Sequence, residues 1–306
     1  MTSRSPKNLP ASIHQRLNNV AHTTGRTFND VLQHYALERI LYRLSVSKHG
    51  KRFVLKGALL LRHWDLSSAR PTRDIDLLGR TDNDVEDLKE IIRDVCDIQL
   101  NDGLVFETGT LLVNTITDDA AYQGVRIEFH ASLGNAVIPV RIDIGFGDQI
   151  TPNPRLIEYP ATLDMPRPRL LAYPPETVIA EKLQIMIRFG LLNSRLKDYF
   201  DVWTLAQSMS FDGATLCEAI KNTFERRATQ IESNPIGLSE AMFINTQNAA
   251  QWKAFRRRLG NIDAPQEFKE LGDEIVAFLE APVNALVQNE AFELSWSPPG
   301  PWAPRQ

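Results

Sequence analysis

Arg73-Asp74-Ile75-Asp76-Leu77-Leu78 is the stretch on which the reading of this 306-residue chain turns. It has the composition of a β-strand, and residues two apart in a strand point to the same side. Asp74 and Asp76 therefore project together, while Ile75 and Leu77 turn to a core. Two carboxylates side by side repel each other, a cost that a divalent cation between them removes. A strand with this pattern suggests metal ligands. An Asp-x-Asp match alone is common, and a solvated strand end gives the same pattern.

The flanking sequence adds to the metal reading. Upstream, the apolar run Phe53–Lys56 ends in Lys56-Gly57, and a helix is expected over Ala58–Trp64. Glycine at such a turn lets backbone N–H groups approach a phosphate, and a following helix N-terminus adds a favourable dipole. Downstream, Val140-Arg141-Ile142-Asp143-Ile144-Gly145 places one more acid on an apolar strand. Asp74, Asp76 and Asp143 on neighbouring strands, beside a phosphate-cradling turn, make the constellation of a two-metal phosphoryl transfer.

Further out, helices are expected over Ala11–His22 and from Thr27 to Ser45, the second opened by a Thr27/Asp30 cap. A helix over Asp82–Leu100 precedes three β-like runs, Leu104–Thr117, Gly124–Ala131 and Val137–Gly145. The turn signals Asp118-Asp119 and Gly134-Asn135 separate them. This order predicts an α/β (α+β) layer: a small mixed sheet flanked by helices, over residues 1–160. Prolines 152, 154, 160, 166, 168, 174 and 175 crowd one stretch, which suits a linker or wrapping connection. Beyond it, residues 161–306 read as a mainly helical domain, with helices at Pro175–Phe189, Leu196–Met209, Asp212–Ala228, Glu240–Leu259 and Glu267–Leu286. The Pro-rich tail from Ser297 is expected to be irregular.

Composition excludes several classes. Hydrophobic residues at 43% and charged residues at 24% rule out wholesale disorder. Lys+Arg number 34 against 38 Asp+Glu, a net charge of -4, which excludes a generally basic nucleic-acid coater but not a local basic patch. Two distant cysteines, Cys96 and Cys217, are neither a disulfide framework nor a zinc site, and they fit a reducing cytoplasm. No run approaches a membrane span, and MTSRSPKNLP lacks the apolar segment of a secretory signal, so the expected location is cytoplasmic, without a membrane.

Taken in order, Lys56-Gly57, Thr72-Arg73-Asp74-Ile75-Asp76-Leu77 and Arg141-Ile142-Asp143-Ile144-Gly145 resemble the motifs of nucleotidyltransferases with the DNA polymerase β-type fold. Pro175-Glu176-Thr177-Val178-Ile179-Ala180-Glu181-Lys182-Leu183, then Asn193-Ser194-Arg195-Leu196-Lys197-Asp198-Tyr199-Phe200-Asp201, narrow the likeness. That pairing is similar to the AbiEii/AbiGii abortive-infection toxin family, which includes the mycobacterial MenT toxins. The resemblance implies a nucleotidyltransferase toxin of a bacterial toxin–antitoxin, phage-defence system. It implies a nucleoside triphosphate substrate, Mg2+ (or Mn2+), and an RNA acceptor, the tRNA 3′ end in characterised relatives, so that translation is blocked. An AbiEi-like antitoxin, often encoded upstream, is the implied partner.

By motif position the resemblance makes Asp74 and Asp76 the metal pair and Asp143 the third acid. Lys182 contacts the triphosphate, and Asp198 is the essential acid of the last motif, with the helical domain completing the catalytic cleft. Lys56, Gly57 and Thr72 join Lys182 as nucleotide-binding residues. One departure stands out: where relatives carry Gly-Thr or Gly-Ser, Ala58 follows Gly57, leaving backbone N–H groups and Lys56 to meet the phosphates.

Without the resemblance, Lys182 also reads as a surface lysine paired with a glutamate, and Asp198 and Asp201, three apart on one helix face, as first-turn charge. Arg188, Arg195 and Lys197 are the RNA-binding candidates. Arg226-Arg227, and Lys253 with Arg256-Arg257-Arg258 interleaved by Trp252 and Phe255, form further basic patches. Two other readings stand beside RNA nucleotidylation: transfer to a protein or small-molecule hydroxyl, including kinase-type transfer, and nucleotide binding without turnover.

Overall fold

Apolar and charged residues alternate through residues 104–146, and that alternation sets the centre of the fold: a sheet with one buried and one polar face. The computed structural model describes residues 8–64, 66, 70–119, 122–260 and 263–305. The first seven residues, on which the expectation of no secretory signal partly rests, lie outside the described residues. The chain divides into two units.

The first unit comprises residues up to His63, Pro71–Gly147 and Arg155–Ala172. Its elements are α1 (Leu9–Thr24), α2 (Phe28–Val46), β1 (Phe53–Lys56), α3 (Leu59–His63), β2 (Asp74–Gly79), α4 (Val85–Cys96), β3 (Leu104–Asp119), β4 (Tyr122–Leu133), β5 (Ala136–Phe146), β6 (Arg155–Glu158) and β7 (Arg169–Ala172). The strands form one mixed sheet in the order β3-β4-β5-β2-β1-β7-β6. β2 runs parallel to β5 and β1 to β7; the other neighbours are antiparallel.

Thr27 caps α2, accepting from the Asp30 amide at 3.1 Å, as its sequence predicts. α2 packs on β5 and β7, and α4 on β3. Ile75, Leu77, Val125, Ile127, Ile142 and Ile144 are all buried, so the odd positions of β2 and the even positions of β5 carry the core. α2 also buries charge. Arg43 forks onto Asp102 at 2.6 and 3.1 Å, and Arg39 reaches both Asp102 and Glu38. The Thr162 amide donates to the second Glu38 oxygen. Burial still pushes the Glu38 carboxyl above its ordinary pKa, against the pull of Thr162 and Arg39.

The second unit comprises Trp64–Arg70, Asp148–Pro154 and the chain from Tyr173 on. It holds α5 (Pro175–Phe189), α6 (Leu196–Ser208), β8 (Phe211–Asp212), α7 (Gly213–Arg226), α8 (Glu240–Phe243), α9 (Thr246–Leu259), α10 (Phe268–Gln288), β9 (Leu294–Trp296) and β10 (Trp302–Pro304). Its core is aromatic: Tyr199, Phe200, Phe243, Trp252 and Phe268 are buried against one another.

Three local expectations differ from the structure. The proline-crowded stretch contains β6 and β7, an antiparallel pair added to the sheet through β1, because Pro160 and Pro168 flank the paired residues without interrupting them. The helix expected over Glu240–Leu259 is two helices; the Asn245 side chain accepts from the amides of Gln247 and Asn248 and starts α9 anew. The Pro-rich tail is not wholly irregular: β9 and β10 pair with each other, and β9 pairs with β8. The Trp296 and Trp302 indoles anchor it, donating to the carbonyls of Ala206 and Phe278.

Candidate active site

The polar face of the first unit's sheet is a lattice of alternating charge. Register aligns Lys56, Asp76, Asp143 and Arg126 across β1, β2, β5 and β4, and one step along it aligns Asp74, Arg141 and Glu128. The three aspartates predicted from sequence thus lie on the adjacent strands β2 and β5, with Asp76 directly opposite Asp143 and Asp74 opposite Arg141. Arg126 forks onto Asp143, its Nε donating to Oδ1 at 2.8 Å and Nη2 to Oδ2 at 2.7 Å. Arg141 donates to Glu128 at 2.9 Å and lies 3.5 Å from Asp74. The bond to Asp143 raises the Arg126 pKa above its ordinary value, which fixes the guanidinium as a permanent cation beside the acids.

Gly57 is required twice over. Its φ of 75° lies in the left-handed region, and a Cβ there would come within 2.0 Å of Asp76 Oδ2. The Asp76 carboxylate therefore rests against the bare backbone of the Lys56-Gly57 turn. The helix after the turn is shorter than its sequence suggests, only Leu59–His63. Ala58 is buried, so no side chain from that position enters the site. Thr72 lies outside β2; its hydroxyl donates to the Asp74 carbonyl at 3.3 Å, which shapes the entry to the strand.

Among the described residues, no three His, Cys, Asp or Glu side chains gather closely enough to hold one ion. The donor chemistry nonetheless fits Mg2+ or Mn2+, which take carboxylate oxygens. Asp76 and Asp143 are direct cross-strand neighbours on the parallel pair β2–β5, so both side chains rise from the same face of the sheet.

The second unit carries its own buried cluster. Lys182 on α5 donates to Asp198 at 2.7 Å and lies 2.8 Å from Asp201, both on α6. Arg70 forks onto Asp201 at 2.8 and 3.0 Å. Burial opposes the Lys182 charge, yet Asp198 and Asp201 more than offset it and hold its pKa above the ordinary lysine value. Burial likewise opposes the Asp201 charge, and Lys182 and Arg70 hold its pKa below the usual carboxylate range. Lys182 is thus no surface lysine, and Asp201, wholly buried, belongs to the cluster as much as Asp198 does.

Of the RNA candidates, Arg188 and Lys197 are exposed and Arg195 half-buried at the start of α6. Two other patches differ from their sequence reading. Arg227 is held by Asp148 at 2.9 Å and Glu181 at 3.2 Å. Trp252 is fully buried among Phe200, Phe255 and Phe268, so it offers no face to a base. Glu128 and Arg126 are not among the residues that the sequence singles out. Their signal was the Arg-x-Glu alternation on β4, which becomes meaningful only when the register places it against Arg141 and Asp143.

Comparison with known proteins gives a family by sequence and a likeness in fold. The sequence model of the family described as "Nucleotidyl transferase AbiEii toxin, Type IV TA system" matches residues 39–274. A crystal structure from H. pylori, described provisionally as a nucleotidyltransferase, is similar in fold: TM-score 0.50 at 13% identity, covering 86% of this chain and 98% of that one. The JHP933 structure from Helicobacter pylori matches at TM-score 0.47 and 12% identity, over 85% of this chain and 92% of that one. No curated protein matches the chain in sequence.

Proposed function

The chain belongs to the AbiEii nucleotidyltransferase toxin family of type IV toxin–antitoxin systems, and from that premise we propose that it transfers a nucleotide from a nucleoside triphosphate to the 3′-hydroxyl of tRNA. The observation that carries this reading is the Asp74, Asp76 and Asp143 face beside the Gly57 turn. Such a face suits a triphosphate better than a neutral ligand, because the carboxylates recruit cations and the bare backbone admits phosphate oxygens.

The acceptor oxygen attacks the α-phosphorus, the bond from the α-phosphorus to the bridging oxygen breaks, pyrophosphate leaves, and the hydroxyl proton is released to solvent. Asp74, Asp76 and Asp143 would hold Mg2+ or Mn2+, which when bound neutralises phosphate charge and lowers the pKa of the attacking hydroxyl. Arg126 orients the Asp143 carboxylate by holding both its oxygens. The Lys56-Gly57-Ala58 backbone meets phosphate oxygens without a side-chain hydroxyl. Lys182, kept charged by Asp198 and Asp201, is the proposed contact to the triphosphate, by its motif position. Arg188, Arg195 and Lys197 contact the RNA backbone. An antitoxin follows from the family, and the reading places the reaction in the cytoplasm. Among the described residues no helix is long and apolar enough to cross a membrane.

The deciding experiment incubates the protein with total tRNA, Mg2+ and each nucleotide labelled in turn at the α- or the γ-phosphate. Label from the α-position on tRNA supports the proposal. Label from the γ-position on protein replaces it with kinase-type transfer. No label from any nucleotide overturns turnover, provided that Asp76→Asn behaves as the wild type does.

A further inference from the structure

Away from the carboxylate face, the first unit buries a group of polar side chains that the proposed reaction does not use. Arg26 sits in the turn between α1 and α2, and its Nη2 donates to the Asp30 carbonyl at 3.3 Å. One helical turn on from Asp30 is His34, 4% exposed, so the guanidinium lies over the face that carries this imidazole. The ring of Tyr159, wholly buried, stands 6.0 Å from that of His34. Tyr159 follows Glu158, whose backbone bonds His63 at the end of α3, and the charge of Arg62, the residue before His63, acts on both His34 and Tyr159.

Among the described residues, Arg26 Nη1, His34 Nε2 and Tyr159 Oη are buried without a hydrogen-bond partner. Buried polar atoms are nearly always paired, and three orphans in one place call for a shared partner. The charges bearing on His34 are Arg62 and Arg26, both positive. Among the described residues, the acids near this group have other partners: Asp30 bonds Thr27, and Glu38 bonds Arg39 and the Thr162 amide. A partner that accepts from a guanidinium and a phenol, and lowers a positive potential, is an anion.

We propose that Arg26, His34, Arg62 and Tyr159 form a second site, for a phosphate-like oxyanion, apart from the carboxylate face. Guanidinium N–H groups and the Tyr159 hydroxyl donate to its oxygens, and the Nε2–H tautomer of His34 adds a third donor. The oxyanion is either free inorganic phosphate or the phosphate of a nucleotide, and the chemistry of the donors is the same for both.

The test follows thermal unfolding of the full chain against inorganic phosphate, a nucleoside monophosphate and, at matched ionic strength, chloride. Wild type is compared with Tyr159→Phe, which removes only the hydroxyl, and with Arg62→Gln. The expected result is a midpoint that rises with the logarithm of phosphate or nucleotide concentration in the wild type and less, or not at all, in both variants. Loss of the phosphate response assigns the free ion; loss of the nucleotide response alone assigns the nucleotide. A wild type that answers phosphate and nucleotide no more than chloride, or variants that answer as the wild type does, overturns the site and leaves the cluster to ordered water. Tyr159→Phe would then be neutral or stabilising, since it removes an unpaired buried hydroxyl. Label transfer to tRNA is read separately, so this site can fail while the catalytic reading stands.

Discussion

Gly57 and Arg126 control the Asp76–Asp143 pair from opposite ends of one row of the sheet. A side chain at position 57 meets two costs: left-handed backbone, about 1–2 kcal/mol for a non-glycine residue, and displacement of the Asp76 carboxylate. Gly57→Ala is therefore expected to lower the melting temperature modestly and to abolish nucleotide transfer. A fully active Gly57→Ala would mean that Asp76 does not work from the position it holds against the turn. Arg126 acts on Asp143 through a two-bond fork. Groups that orient a metal-binding carboxylate typically change metal affinity by about 10–100-fold. Arg126→Met is expected to weaken Mn2+ binding by that order, with Arg126→Lys, which keeps charge but not the fork, in between. Calorimetric Mn2+ titration reads this without any turnover, and unchanged affinity in Arg126→Met would remove Arg126 from the site.

Elements decide the second cluster, because α5 and α6 deliver a lysine to two carboxylates that neither helix could neutralise alone. Asp201 is wholly buried and shared by Lys182 and Arg70. Asp201→Asn leaves two buried cations short of charge and is expected to cost about 3–5 kcal/mol, read by urea unfolding. The sign with pH follows from the shifts. Asp201 has a folded pKa below its unfolded value of about 3.9, so its contribution is present above that pH and is lost as pH falls through the folded value. Lys182 has a folded pKa above its unfolded value of about 10.4, so its contribution is present below that pH and is lost as pH rises through the folded value. Wild-type stability should fall at both ends, and Asp201→Asn should flatten the acid limb; an unchanged acid limb would count against the cluster. How much of this the sequence discloses depends on the range of the cause. The strands with Asp74, Asp76 and Asp143 are legible because period-2 alternation is local, and Thr27 announces α2 because a cap reads only three residues ahead. Arg126 is not legible, since its role comes from the β4–β5 register. Nor are β6 and β7, four residues each, because β7 is held by β1 from the other end of the unit's sequence and β6 joins the sheet only through β7. Trp252 looks like a stacking group beside Arg256–Arg258, and only the packing of α9 on α6 and α10 turns it inward.

At the scale of the whole chain, a net charge of -4 repels a polyanion at long range, so the proposed RNA binding has to be local and salt-sensitive in proportion to few contacts. Arg227 is held by Asp148 and Glu181, and Arg256 donates to the Ala264 carbonyl. Arg188 at the end of α5, and Arg195 and Lys197 at the start of α6, are the proposed contacts. Three phosphate contacts to a single-stranded end correspond to a slope of about -2 in log affinity against log salt, at roughly 0.7 per phosphate. The tRNA affinity of the protein, followed by fluorescence anisotropy across a salt series, should show a slope of that order, far shallower than that of a basic RNA coater. Replacing Arg188, Arg195 and Lys197 together with alanine should bring the slope close to zero while leaving Mn2+ binding at the carboxylate face unchanged. A triple variant that keeps the wild-type slope would move the RNA surface elsewhere on the chain. A steep wild-type slope would mean that many more cations meet RNA than these three.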